Sequence, residues 1–269
     1  MSSVGHGTQP RVGFFTDTSV CIGCKACEVA CKEWNHVPED GLEFTGESYD
    51  NTGELGADTW RHVTFIEQRT PMDMALEDAE GLRWLMSSDV CKHCTHAACL
   101  DVCPTGALFR TEFGTVVVQP DVCNGCGYCI PACPFGVLDR REGDGRVWKC
   151  TLCYDRLKDD REPACAQACP TDSIQFGELD ELRGRARERV EALHERGETS
   201  ARLYGADDGD GVGGMGAFFL LLDDPEVYGL PPDPVATTHD LPGIWAAAAT
   251  AAAALGAGIA AALVGGRRR

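Results

Sequence analysis

Sixteen cysteines in four groups of four constrain this 269-residue chain more than any other feature. The first group is Cys21, Cys24, Cys27 and Cys31, spaced C-x2-C-x2-C-x3-C. The second, Cys91, Cys94, Cys99 and Cys103, has two extra residues in its middle gap and Pro104 behind it. The third, Cys123, Cys126, Cys129 and Cys133, repeats the first spacing and ends on Pro134. The fourth is split into Cys150 and Cys153, then Cys165 and Cys169 with Pro170. No cysteine is left over.

Two-residue gaps let one tight loop turn three thiolates toward a common point, and Gly23, Gly125 and Gly127 supply the backbone freedom such a loop needs. A disulfide framework suits short secreted chains, and these gaps are too short for easy bridging. Four-cysteine zinc sites also use C-x2-C pairs, but they have no use for a third cysteine at the same spacing followed by C-x3-C-P. The pattern is that of [4Fe–4S] ligands, four thiolates per cube and four cubes in all. In bacterial two-cluster ferredoxins the fourth cysteine of a run ligates the other cube. Extended to this sequence, with the first motif paired to the fourth and the second to the third, that rule gives four sets. Cluster A is Cys21, Cys24, Cys27 and Cys169; cluster B is Cys150, Cys153, Cys165 and Cys31. Cluster C is Cys91, Cys94, Cys99 and Cys133; cluster D is Cys123, Cys126, Cys129 and Cys103. His93 and His96, inside the second motif, read as surface residues or as donors to the ligands rather than as ligands.

The formal charge of −18 makes DNA or anionic lipid a poor partner. Sixteen thiolates and four oxidised cubes take the loaded protein to about −26. Lys25, Lys32, Lys92, Arg110, Arg140, Arg141, Lys149 and Arg156 lie beside the motifs, either as charges that tune reduction potentials or as solvated surface.

The fold expected is α+β: two bacterial-type two-[4Fe–4S] ferredoxin units, one nested in the other, with insertions and one C-terminal transmembrane helix. Residues 1–90 and 141–180 form the outer unit, interrupted by an insertion over 36–88 with one strand-like run, Trp60 to Gln68. Residues 91–140 form the inner unit, with strand-like Gly114 to Gln119 where ferredoxins place a hairpin. Residues 1–15 read as a polar arm without a signal peptide, and Cys27 to Trp34 as a helix. Glu178 to Arg196 reads as an amphipathic helix with Leu179, Leu182, Ala186, Val190 and Leu193 on one face, leading into a region over 181–242 of helix, loop, strand and linker. A flexible Gly-rich loop at Gly205 to Gly216, a buried strand at Ala217 to Leu222 and a Pro-rich linker at Leu230 to Pro242 follow. Residues 243–264 are uncharged and long enough to span a bilayer. Trp245 and the basic tail at 265–269, with Arg267, Arg268 and Arg269, fit interfacial anchoring with a cytoplasmic C-terminus. The cluster domain is then expected on the extracytoplasmic side, exported folded on a partner that carries the signal; the alternative is the cytoplasmic face.

The motifs CKHCTHAACLDVCP, CNGCGYCIPACPF and KCTLCYDRLKDDREPACAQACPT, in this order, resemble the four-cluster electron-transfer subunits of molybdenum or tungsten oxidoreductases. CIGCKACEVACKEWN, PEVYGLPPDP and the single C-terminal apolar helix resemble most the iron–sulfur beta subunit of membrane-bound formate dehydrogenase. The resemblance implies a molybdopterin catalytic alpha subunit that supplies electrons, with clusters A and B facing it. It implies a membrane cytochrome b gamma subunit that receives them for quinone, with clusters C and D on that side. The sequence itself shows no nucleophile paired with a base and no nucleotide fingerprint, so it reads as a non-catalytic subunit. The alternatives are the equivalent subunit of a membrane-bound hydrogenase or other molybdenum reductase, and, in a different class, a zinc-binding scaffold.

Overall fold

The computed structural model describes residues 10–41, 46, 49–50, 52–68 and 82–266. The chain divides into two units, Met1–Ala236 and Thr237–Arg269.

In the first unit a four-stranded sheet holds the frame. It is built from β1 (Val12–Asp17), β8 (Ile174–Glu178), β9 (Arg202–Tyr204) and β10 (Ala217–Leu221), in the order β8-β1-β10-β9. β1 runs parallel to β10, with Phe15 opposite Phe218, and antiparallel to β8, with Phe14 opposite Phe176. β9 closes the far edge antiparallel to β10. β10 is an unbroken apolar run, Ala-Phe-Phe-Leu-Leu, as a strand buried on both faces requires. β1 corrects the expected polar arm: residues 12–17 form an inner strand with five of six positions buried. Its short VGFFTD run, lacking alternation, gave no two-residue period to read.

Helix α6 (Leu179–Glu195) follows β8 directly and packs on β1, β8 and β9. Leu179, Leu182, Ala186 and Leu193 are buried on its inner face, and Val190 packs against them as the spacing anticipates. Each leucine side chain so buried contributes about 1.5–3 kcal/mol. Asp180 and Glu181 in its first turn sit favourably at the positive end of the helix dipole.

Around this frame lie the cysteine motifs and three hairpins. β2 (Arg61–Gln68) pairs in full register with β3 (Arg83–Val90), from Arg61 opposite Val90 to Gln68 opposite Arg83. Only the first of these strands is legible in the 36–88 stretch, because the serines and aspartate of β3 mask it. β4 (Leu108–Arg110) and β5 (Val116–Val118) form the hairpin expected between the second and third motifs. β6 (Asp139–Arg140) and β7 (Val147–Trp148) form the third. The helices are α1 (Ala26–Asn35), α2 (Ala98–Asp101), α3 (Cys129–Ala132), α4 (Tyr154–Lys158) and α5 (Ala164–Gln167). α1 packs against α5 and α2 against α3.

Two loops are more ordered than their composition suggests. The 205–216 segment is threaded onto the second motif: His96 N–H donates to Val212 O at 2.7 Å and Thr95 N–H to Gly214 O at 3.0 Å. Val212 and Met215 are fully buried within it. The Pro-rich stretch is likewise bound as far as Ala236, whose N–H donates to Gly211 O at 2.9 Å. In both, a few buried apolar side chains and backbone bonds to the body outweigh the conformational entropy that glycine and proline content suggests.

The second unit contains α7 (Leu241–Gly266), of which Leu241–Leu263 is long and apolar enough to cross a membrane, with mean hydropathy 1.8. Pro242 sits in its first turn, where a missing N–H costs nothing. Thr250 Oγ1 donates back to Ala247 O at 2.7 Å, satisfying its hydroxyl without leaving the helix. Arg267, Arg268 and Arg269 lie outside the described residues.

Candidate metal centres

The four motifs are folded alike. Their third cysteines, Cys27, Cys99, Cys129 and Cys165, each stand in the first turn of a short helix. The second residue after the first cysteine is left-handed in every motif: Gly23, His93, Gly125 and Leu152, with φ between 45° and 70°. That conformation costs any residue other than glycine about 1–2 kcal/mol, so His93 and Leu152 are held by their surroundings. At Gly125 no side chain is possible, since a Cβ would lie 2.3 Å from Gly145 O in the β6–β7 turn. Three motifs end in the same turn, with the N–H of Gly106, Gly136 and Asp172 donating to the carbonyl of Cys103, Cys133 and Cys169, each at 3.4 Å.

All sixteen thiols are free, and the fold gathers them into neighbourhoods. Cys21, Cys24, Cys27 and Cys169 line one small cavity. Burial raises Cys31 well above the ordinary thiol range, and the charges of Cys150, Cys165 and Cys153 raise it further. Burial likewise raises Cys94, with Cys91, Cys133 and Cys99 as its charged neighbours. Cys129 is pushed up to about 11 by burial, then by Cys103, Cys123 and Cys126. The cavity brings three thiols of the first motif together with Cys169 of the fourth. Between neighbourhoods, the leading thiol neighbour of Cys150 is Cys91, Cys165 is a neighbour of Cys27, and Cys129 is a neighbour of Cys99.

Four thiols brought together in low dielectric repel one another as thiolates. An iron–sulfur core relieves that repulsion by binding all four, and each cube, when bound, takes up and gives back one electron. Donors for bound sulfur are in place. Asn35 Nδ2 lies 3.7 Å from both Cys31 and Cys153 Sγ, and Ser88 Oγ lies 3.2 Å from Cys27 Sγ. Leu152 N–H donates to Cys150 Sγ at 3.3 Å. Against the cost of burial, the N–H groups of Leu108, Thr105 and Ala107 hold the Cys103 thiol below its ordinary range. A single zinc ion is a poor fit. Zn–S bonds of about 2.3 Å draw four sulfurs to within about 4 Å of each other. Among the described residues no three His, Cys, Asp or Glu side chains converge closely enough for one ion.

The cations divide sharply. Lys92, Lys149 and Arg156 are buried, while Arg140 is exposed and Lys25, Lys32, Arg110 and Arg141 are half-buried. Burial lowers the Lys149 ammonium, but Cys91, Cys99 and Cys150 outweigh it and raise it overall. His93 corrects the surface reading: it is 1% exposed, and its Nδ1 accepts the Val116 N–H at 3.0 Å. That bond puts the ring proton on Nε2. Burial, followed by Lys149, Arg11, Arg110 and Arg61, holds the ring neutral. Arg61 is a feature that sequence reasoning passed over. It opens β2, thirty residues from the nearest cysteine in the sequence, yet is 2% exposed, with the thiols of Cys165, Cys27, Cys150 and Cys31 around it.

The sequence matches two family models, each described as a 4Fe–4S dicluster domain, over residues 20–107 and 82–179. The two dicluster matches and the sixteen free cysteines define an iron–sulfur electron-transfer protein with four [4Fe–4S] clusters. The formate dehydrogenase iron–sulfur subunit of Haemophilus influenzae is 44% identical over 222 residues, 81% of this chain and 68% of that protein. The formate dehydrogenase-O iron–sulfur subunit of Escherichia coli is 41% identical over 243 residues, 88% of this chain and 77% of its own. A subunit of the anaerobic dimethyl sulfoxide reductase of the same organism is 37% identical over 173 residues, 64% and 76% respectively. This protein belongs to the family of formate dehydrogenase iron–sulfur subunits.

Proposed function

We propose that this protein is the non-catalytic relay of a formate dehydrogenase complex, conducting electrons through clusters A, B, C and D in that order. Cys21, Cys24, Cys27 and Cys169 hold A, and Cys150, Cys153, Cys165 and Cys31 hold B. Cys91, Cys94, Cys99 and Cys133 hold C, and Cys123, Cys126, Cys129 and Cys103 hold D. The outer unit is thus wrapped around the inner one, a nesting supported by the packing of α1 on α5 and of α2 on α3. The neighbouring pairs Cys27 with Cys165, Cys150 with Cys91 and Cys99 with Cys129 support the order.

The observation that carries the reading is that the exposed cysteines, Cys24 and Cys126, belong to the first and last sets of this series. Each has exposed apolar residues in or beside its own motif: Ile22 and Val29 in the first, Tyr128 in the third and Val122 just before it. Such surfaces beside a solvent-facing cluster suit partner subunits. A molybdopterin formate-oxidising subunit docks at cluster A and a membrane cytochrome b at cluster D, with α7 anchoring the assembly. The cluster domain lies outside the cytoplasm and the C-terminus inside.

Replacing Cys126 with serine tests this. In the assembled complex, formate oxidation by an artificial acceptor that draws on the catalytic subunit should persist while quinone reduction is lost. Equal retention of both activities in a complex lacking one cluster refutes the order.

A further inference from the structure

Arg61 is built into the fold in a way that the ligand pattern does not require. Its guanidinium is wholly buried, and Nη1 donates to Ser88 O at 3.2 Å and to Ser88 Oγ at 3.0 Å. Ser88 Oγ in turn lies 3.2 Å from Cys27 Sγ, so two short links join the cation to a ligand of cluster A. The ring of Phe14 closes the other side, with the guanidinium carbon 4.9 Å from its centroid. Nε and Nη2 have no hydrogen-bond partner among the described residues. Two buried, unpartnered N–H groups on a cation are costly, and native structures retain them only where something completes them. Beyond Ser88 and Phe14, the charges that act on it most strongly belong to thiols of two different sets: Cys27 from A, and Cys165, Cys150 and Cys31 from B.

We infer that Arg61 is the fixed positive charge at the junction of clusters A and B, donating Nε–H and Nη2–H to their sulfur and raising the reduction potentials of both. This rests on the ligand sets proposed above. Its chemical logic is direct. Each cube that accepts an electron gains a negative charge, and two adjacent cubes without a cation between them would oppose one another's reduction. Arginine suits the position better than lysine, because its charge persists at any working pH and its planar fork can serve two acceptors at once. β2 supplies the residue and β3 supplies Ser88, so the 36–88 insertion has an electronic task as well as a covering one.

The size of the effect follows from Coulomb's law. At an effective dielectric constant of about 20, removing a unit charge within about 12 Å changes a reduction equilibrium roughly tenfold or more. For a one-electron couple that is about 59 mV. The experiment is a dithionite redox titration of the whole complex followed by low-temperature EPR, with iron counted in the same samples. Arg61→Met should lower the midpoints of two clusters by at least this amount and leave the other two in place. Arg61→Lys should restore most of the shift. Ser88→Ala, which keeps the charge and removes one link, should lower one midpoint only, and by less.

Four unchanged midpoints in Arg61→Met, or four that shift alike, overturn the inference. If Arg61→Met fails to hold iron, Arg61→Gln, which keeps donor groups and removes the charge, decides: two lowered midpoints support the inference and four unchanged ones overturn it. Failure of the underlying reading is distinguishable, since wild-type protein with far fewer than about sixteen irons would refute the four-cluster assignment before any variant is compared.

Discussion

Replacing Lys149 with methionine removes a buried charge while keeping most of the side chain's volume. The ammonium is 1% exposed and donates to the carbonyls of Val116 and Cys150, the second at 2.9 Å. Two hydrogen bonds from a charged group contribute about 3–6 kcal/mol. Burying the ammonium costs several kcal/mol, so in the metal-free protein the two effects nearly cancel. In the loaded protein the cation also faces the thiolates of Cys91, Cys99 and Cys150. At about 5 Å and an effective dielectric constant of about 20, one such pair adds about 3 kcal/mol. Lys149→Met should therefore destabilise the loaded protein by about 3 kcal/mol and leave the metal-free form almost unchanged. Anaerobic urea titration, followed by cluster absorbance, should show the midpoint falling by about 1 M or more. An equal change in loaded and metal-free protein, or no change in the loaded form, refutes the argument that Lys149 is held in place by cluster charge.

Gly125→Ala should abolish cluster D, because its Cβ meets Gly145 O at 2.3 Å and φ is +70°. Gly106→Ala, at φ +69° in open space, should cost only about 1 kcal/mol and keep the iron, so iron content separates them. Leu182→Ala removes a fully buried side chain from α6 and should cost about 2–5 kcal/mol in chemical denaturation. Against the desolvation that raises it, the His62 side chain and the N–H groups of Gly53 and Thr52 hold the Asp50 carboxyl far below its usual range. A depressed carboxyl stabilises above its unfolded value near pH 4 and loses that contribution as pH falls through the folded value. Asp50→Asn should therefore be less stable than wild type at neutral pH, with the difference shrinking below about pH 4 in a series of unfolding curves.

Much of the centre was legible because ligand spacing is local. A C-x2-C-x2-C run confines three thiolates to one loop whatever surrounds it, and the left-handed glycines at Gly23, Gly125 and Gly127 can be anticipated from that loop alone. The left-handed His93 and Leu152 could not, since nothing in their side chains signals the conformation that tertiary contacts impose on them. The amphipathic stripe of α6 and the apolar run of β10 were equally plain, each being a period or a run within one element. β1 and β3 were not, because their short, mixed sequences become strands through partners far along the chain. The ordered 205–216 loop followed the same rule: its composition is that of a linker, and its bonds to Thr95 and His96 lie more than a hundred residues away.

By itself, then, the sequence determined how many clusters the protein can hold, that cysteine thiolates hold them, and that one segment can cross a membrane. These are properties of residue type and short spacing. The tertiary structure alone decided which cations are sealed among the thiols and which face water. Arg61 and Lys149 resemble any other basic residue until strands from distant motifs close over them. Charge acts through space, and the distances that set its strength belong to the fold rather than to the order of residues.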